Sequence, residues 1–241
     1  ATSGLDPDQE QYTRIIRSSG DALLGLINGI LDFPKIEAGR LELEELDFDL
    51  EVCLEDCVKI LGGKAREKGL SPMSTIGSGV PRSLRGDPGR LRQVLINIAG
   101  NAVKFTRQGE VRIHTTLIEE FRDRVLLRFE VRDTGVGIAP AKNSGLFVSF
   151  SQGDSSTTRE FGGSGLGLAI SRSLVRLMGG DIGFESEEGR GSTFWFTISL
   201  GKRPSGLVCP GEGPPDLAGL RALVAKADEG TGLMLSSILS R

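Results

Sequence analysis

The spacing of apolar residues changes period several times along this chain, and each change marks a new element. Over residues 9–39, Ile16, Leu23 and Ile30 recur every seven positions, with Gly20 and Ile27 at the complementary heptad places. Leu24 and Leu31 widen that stripe, so the pattern predicts one long helix that wants a bundle. Pro34 falls inside the pattern and should kink or loosen the helix there. Residues 40–48 alternate Leu41 and Leu43 with Glu42 and Glu44, the period of a short strand. From 50 to 68 the helical period returns with Leu50, Leu54, Cys57, Leu61 and Ala65 on one face, and Asp49 is placed to cap it. Asp87 followed by Pro88 is a strong start for a third helix over 88–104, which buries Leu91, Leu95, Ile98 and Ala102.

The second half reads as strands around a glycine-rich segment. Strands are predicted at 110–118 and 125–132, a helix at 165–178 closed by Gly179 and Gly180, and a hairpin over 181–186 and 192–200. In that hairpin Phe194, Phe196, Ile198 and Leu200 share the core face. Residues 201–215 are a Pro/Gly linker. Residues 217–241 supply one strand-like run and one short helix, too little to fold alone.

Composition narrows the class. The 241 residues include 38% hydrophobic and 25% charged positions, ordinary for a globular chain that can bury a core. A net charge of −3 offers no basic field for nucleic acid or an anionic membrane surface. No apolar run approaches the roughly 20 residues of a membrane span, and the N-terminus lacks a signal-peptide pattern. Three cysteines suggest a reducing compartment, and Cys53 and Cys57 read as small core-facing residues rather than half a metal site. The 34 glycines, about twice the usual ~7% share, indicate close backbone approaches in several loops.

Three segments carry candidate chemistry. Asn97, Asn101 and Lys104 share one face of the third helix, beside its apolar face. An amide oxygen is a hard neutral ligand suited to Mg²⁺, and a lysine supplies a point charge for phosphate. Asparagine is a poor interior helix former, so two on one face call for a reason. Asp133 follows directly on a strand, where a carboxylate can accept the exocyclic amine of an adenine, and Gly135 and Gly137 let backbone approach the base. Taken alone, that motif equally suits a strand exit with turn glycines. Gly162, Gly163, Gly165, Leu166 and Gly167 open a helix whose free amides suit an anion. A dinucleotide fold would need a strand before these glycines, and a polar segment, 151–160, stands there instead. That segment has the composition of a lid; its Arg159 could reach a terminal phosphate or simply be a solvated loop arginine. The one histidine, His114, falls on the polar side of a strand and reads as solvated or hydrogen-bonded.

In this order and at these separations, the segments resemble the nucleotide boxes of the sensor histidine kinases, particularly the hybrid type with an attached receiver. Residues 26–39 resemble the second helix of that family's dimerisation domain, 86–106 its asparagine box, and 133–138, 147–150, 162–168 and 189–194 its remaining boxes. The resemblance implies an α+β fold: a two-layer α/β sandwich of the Bergerat type with a mixed, mostly antiparallel sheet, preceded by a long dimerisation helix. It divides the chain into a partial dimerisation helix (1–40), a catalytic ATP-binding domain (41–200), a linker (201–215) and the start of a degenerate receiver-like domain (216–241).

By the same resemblance Asn101 would hold Mg²⁺, Lys104 would meet phosphate beside Asn97, Asp133 would bind adenine, and Gly165 to Gly167 would close the lid. Thr193 would join the adenine network through water. The implied activity is that of a protein-histidine kinase using ATP and Mg²⁺, self-associating through its dimerisation helices and feeding a receiver in cis or trans. It would be cytoplasmic, or the cytoplasmic portion of a membrane-anchored sensor, with no nucleic-acid or membrane contact from this chain. Three departures qualify the match. The family's first dimerisation helix, which carries the phosphoacceptor histidine, has no counterpart here, so this chain by itself is not expected to autophosphorylate. Pro34 stands where the family commonly has serine. Lys226 and Ala227 occupy the places of the receiver's acidic pair, so no phosphate should be accepted there through the usual metal. These departures motivate a second expectation, a nucleotide-responsive regulatory or scaffold module that performs no transfer.

Overall fold

A computed structural model describes residues 40–139, 145–147 and 166–203, with a few isolated positions before residue 40. The expected long helix, the 151–160 segment, Gly162, Gly163 and Gly165, and the receiver-like tail lie outside the described residues. The chain divides into units Ala1–Pro204 and Ser205–Arg241, a boundary within the expected linker, and every described element belongs to the first unit.

The elements run β1 (Leu46–Asp49), α1 (Leu50–Arg66), β2 (Met73–Ile76), β3 (Ser83–Gly86), α2 (Pro88–Phe105), β4 (Val111–Glu120), β5 (Arg124–Asp133), α3 (Gly167–Leu177), β6 (Ile182–Glu187) and β7 (Gly191–Lys202). The strands form one sheet in the order β1-β3-β7-β5-β4-β2, with β6 also paired to β7. Among the described residues, β2 and β4 are the parallel pair and the other ladders are antiparallel. β7 organises the sheet. One edge pairs with β5 over ten residues, and the other is divided between β6 at its start and β3 at its end.

Local chemistry sets the helix boundaries. Asp49 caps α1, its Oδ1 accepting the Val52 amide at 3.0 Å. The helix closes where Gly69, at φ +69°, lets the Leu70 amide return to the Ala65 carbonyl and its own amide to Arg66. Asp87 caps α2 in the same way, accepting the Arg90 amide at 2.9 Å, with Pro88 at the first helical position. α3 ends as the glycine pair predicts: Gly179, at φ +74°, turns the chain, and the Gly180 amide bonds Val175.

Alternation along the strands then builds the core. Val111 and Ile113 of β4, Val125, Leu127, Phe129 and Val131 of β5, and Phe194, Phe196, Ile198 and Leu200 of β7 are buried. They join Leu54, Leu61, Leu91, Leu95, Ile98 and Leu174 of the helices in one cluster. Phe129 and Phe196 stack at its centre, ring centroids 4.9 Å apart. Each large side chain fully buried there stabilises the fold by roughly 1.5–3 kcal/mol. Cys53 and Cys57 lie in this core as free thiols.

The opposite sheet face is polar and half-buried. There His114 Nδ1 lies 2.8 Å from Thr75 Oγ1, and Arg128 bonds Glu130 at 2.7 Å while its guanidinium stacks over Trp195. The strand predicted over 40–48 begins only at Leu46. Leu41 and Leu43 still pack against the core, which explains their alternation. The preceding backbone, however, is held by a side chain instead of a ladder: the Glu44 amide donates to Asp87 Oδ2 at 3.1 Å.

Candidate active site

The site is assembled from three chain segments that the sheet and helices bring to one edge of the sandwich. The first is the C-terminal half of α2. Its apolar stripe, Leu91, Leu95, Ile98 and Ala102, is buried. The helical period then leaves Asn97, Asn101 and Lys104 half-buried along the margin of that stripe. Asn97 Nδ2 donates to the Gly167 carbonyl at 3.3 Å and to Ser171 Oγ at 3.4 Å, so its amide ties α2 to the first turn of α3. Lys104 stands over the Phe105 ring, its ammonium 4.8 Å from the centroid. Burial, and secondarily the charge of Lys68, holds the Lys104 ammonium below the ordinary lysine pKa.

The second segment is the end of β5 and the loop after it. Asp133 is buried, 6% exposed, and its Oδ1 accepts the Gly135 amide at 2.8 Å and the Ser192 amide at 3.3 Å. Burial pushes this carboxyl above the usual aspartate range, and the two amide hydrogen bonds offset only part of that shift. The loop has no room for side chains at its glycines. A Cβ on Gly135 would lie 2.7 Å from the Phe105 carbonyl oxygen. Gly137, at φ +66°, faces the Glu187 carbonyl oxygen at only 2.1 Å from any such Cβ. The loop is also stitched to the β6–β7 hairpin: the Ile138 amide donates to Ser186 Oγ at 2.8 Å, and the Gly189 amide to the Val136 carbonyl at 2.8 Å. Ser186 in turn pairs with Ser192 Oγ at 2.9 Å.

The third segment is the start of α3. Leu166 is buried and Gly167 opens the helix against Asn97. Phe147, on the short described piece before it, packs on Phe184, which stacks on Phe194.

The structure therefore ties Asn97 to Gly167 and Asp133 to Gly135, and seats Gly135 on the end of the helix that carries Asn101 and Lys104; Gly137 and Leu166 lie in the same segments. Arg159, Gly162, Gly163 and Gly165 lie outside the described residues. Thr193 does not join the others. Its register partner is Arg132, and strand alternation turns both to the face opposite Asp133. Its neighbour Ser192 is the residue opposite Asp133, with amide and hydroxyl both in the network. Sequence reading passes over Ser186, Ser192 and Lys68. The motif spanning 189–194 points to the right turn, but which of two adjacent hydroxyl residues faces inward depends on register.

Asn101 offers one amide oxygen to a metal, and no group of three or more His, Cys, Asp or Glu side chains suited to a metal occurs among the described residues. Such a site fits an ion that keeps water and phosphate oxygens as most of its ligands, as Mg²⁺ does, and does not fit an all-protein cage.

Comparison with known proteins agrees with this geometry. The model of the histidine kinase-, DNA gyrase B-, and HSP90-like ATPase family matches residues 86–202. The chain is 45% identical over 228 residues to the sensor histidine kinase GacS of Pseudomonas protegens, covering 94% of this chain and 24% of that protein. It is 40% identical over 236 residues to the signal transduction histidine-protein kinase BarA of Escherichia coli, covering 98% of this chain and 26% of that protein. This chain thus spans about a quarter of the length of these relatives. Among solved structures, full-length ShkA in complex with AMPPNP superposes with a TM-score of 0.66 at 38% identity, over 83% of this chain and 41% of ShkA. Among the described residues no helix is long and apolar enough to cross a membrane. Residues 86–202 are thus a histidine kinase-, DNA gyrase B- and HSP90-like ATPase domain, and nearly the whole chain is similar to part of the sensor histidine kinases.

Proposed function

We propose that this chain binds Mg²⁺-ATP and acts as the catalytic part of a two-component histidine kinase, directing the γ-phosphoryl group to a histidine other than His114. The observation that carries the reading is the seating of the loop after buried Asp133 on the end of the helix that carries Asn101 and Lys104, with the Phe105 carbonyl against Gly135. The relative solved with AMPPNP supports it.

In this reading Asp133 accepts the adenine amine, with Gly135 admitting the base and Ser192 fixing the carboxylate. Asn97 holds α3, and the amides at the start of that helix, around Leu166 and Gly167, receive phosphate. Lys104 neutralises phosphate charge, and Asn101 would contribute to holding Mg²⁺, which supplies further charge neutralisation when bound. Arg159 and Gly162, Gly163 and Gly165 complete the lid. Catalysis is then mainly positioning and electrostatics. The acceptor is a histidine elsewhere because His114, bonded to Thr75, occupies the sheet face away from Asp133. The likeness to hybrid kinases supports a receiver as the next partner and dimerisation through helices like that expected over 9–39.

The test is phosphotransfer from γ-labelled ATP to a histidine-bearing helical domain supplied in trans. Acid-labile label on that domain, lost with Asn101→Ala, is expected, while the chain alone binds Mg²⁺-ATP without becoming labelled. Tight ATP binding with no transfer to any histidine-bearing partner would overturn the kinase reading.

A further inference from the structure

We propose that Lys68 is a positioning residue for the nucleotide site: its ammonium fastens the end of α2, and through that segment it sets the phosphate-facing and base-facing groups relative to each other. The inference rests on the nucleotide reading above and deepens it.

Lys68 lies just beyond α1, in the turn closed by Gly69. Its Nζ donates to the carbonyls of Val103 at 2.9 Å, Lys104 at 2.6 Å and Thr106 at 3.4 Å. Carbonyls at a helix C-terminus have no partner within the helix and carry the negative end of its dipole. The preceding acceptor, the Ala102 carbonyl, is already taken by the Thr106 amide and hydroxyl. The ammonium is therefore a cap supplied from 35 or more residues away, added to the local cap that Thr106 places on the Ala102 carbonyl.

The capped segment touches both halves of the site. Asn101 and Lys104 precede or lie within it. Between the bonded carbonyls sits Phe105, whose own carbonyl lies directly against Gly135, so close that a Cβ there would be 2.7 Å away. A slip of the α2 end would move Lys104 and at the same time unseat the loop that carries Gly135. Lys68 Nζ bonds the Lys104 carbonyl directly, and its charge contributes to the lowered pKa of Lys104 after burial. Lys68 is exposed and its hydrogen-bond partners among the described residues are backbone carbonyls, so its replacement leaves the core intact.

The test measures Mg²⁺-ADP and Mg²⁺-AMPPNP affinity calorimetrically for the whole 241-residue chain and its Lys68→Met, Lys68→Arg, Lys104→Met and doubly substituted Met forms. Lys68→Met is expected to weaken both nucleotides about tenfold with unchanged circular dichroism, and Lys68→Arg to bind within about threefold of the parent. The two methionine substitutions should combine to less than the product of their separate effects, because both act through one segment. Affinity unchanged in Lys68→Met, even with a lower Tm, would reduce Lys68 to a stability cap and overturn the proposal, as would fully multiplicative effects. Failure of the parent chain to bind either nucleotide would overturn the nucleotide reading itself, and this inference with it.

Discussion

The two ends of the site are built by different means. At the end proposed for the base, backbone meets backbone: Gly135 rests on the Phe105 carbonyl, Gly137 on Glu187, and Gly191 on the Asp133 carbonyl. At the end proposed for phosphate, side chains of α2 stand beside the start of α3, and their placement depends on how α2 is capped and packed. The first kind of construction tolerates almost no substitution, because no rotamer change relieves a clash between main chains. The second can be tuned residue by residue.

The sharpest way to break the comparison is at the base end. Gly191 has φ +108°, and a Cβ there would lie 2.1 Å from the Asp133 carbonyl oxygen. Gly191→Ala should destabilise the domain by about 3 kcal/mol or more and abolish nucleotide binding, seen as a large fall in Tm. A near-parental Tm would mean that the β5–β7 junction is softer than its geometry indicates.

Asp133→Asn comes next. It should weaken ATP binding about 100-fold, since the adenine amine loses its charged acceptor, yet leave the Tm at neutral pH no lower. The sign follows from the raised carboxyl pKa. A folded-state pKa above the unfolded value means that stability is greatest below the unfolded pKa and is lost as pH rises through the folded one. The ionised form is thus the costly one, and Asn keeps an oxygen for Gly135 and Ser192. The same shift predicts that parental ATP affinity falls on acidification at a higher pH than an ordinary aspartate would give, and that this limb disappears in Asp133→Asn. A clearly lower Tm for that variant would contradict the account.

Lys104→Met should weaken ATP about tenfold while barely changing adenosine, which lacks phosphate. Because the Lys104 pKa is lowered, parental affinity for ATP should decline on the alkaline side before an ordinary lysine would deprotonate. Equal losses for ATP and adenosine would blur the distinction between the two ends.

The smallest effect is expected at Thr193. With its side chain on the far face of β7, Thr193→Val should change ATP affinity by less than about threefold, whereas Ser192→Val should cost clearly more. A large effect at Thr193 would reverse the register-based assignment of the inner hydroxyl.

Much of the molecule is legible in its sequence because the signals are local. Asp49 and Asp87 stand one residue before amphipathic helices, Gly179 and Gly180 follow one, and in each case the cap forms as the spacing predicts. The alternation of Phe194, Phe196, Ile198 and Leu200 likewise suffices to assign the inner face of β7. The start of β1 departs from its pattern because Leu41 and Leu43 alternate for packing without a strand to pair with. Lys68 is invisible in the sequence for a different reason: an isolated lysine after a helix carries no mark of acceptors 35 residues later.

By itself, then, the sequence determined the kinds of elements and their caps, because propensity, capping and periodicity act over a few residues; the fold class came through its resemblance to a known family. Only the tertiary structure decided which neighbours meet. It chose Ser192 over Thr193, set Asn97 to bind α3, placed the Phe105 carbonyl beneath Gly135, and brought Lys68 to the end of α2. Those choices rest on strand register and on contacts between elements distant in the chain. Both are settled by packing the whole core at once, and no short stretch of sequence encodes them.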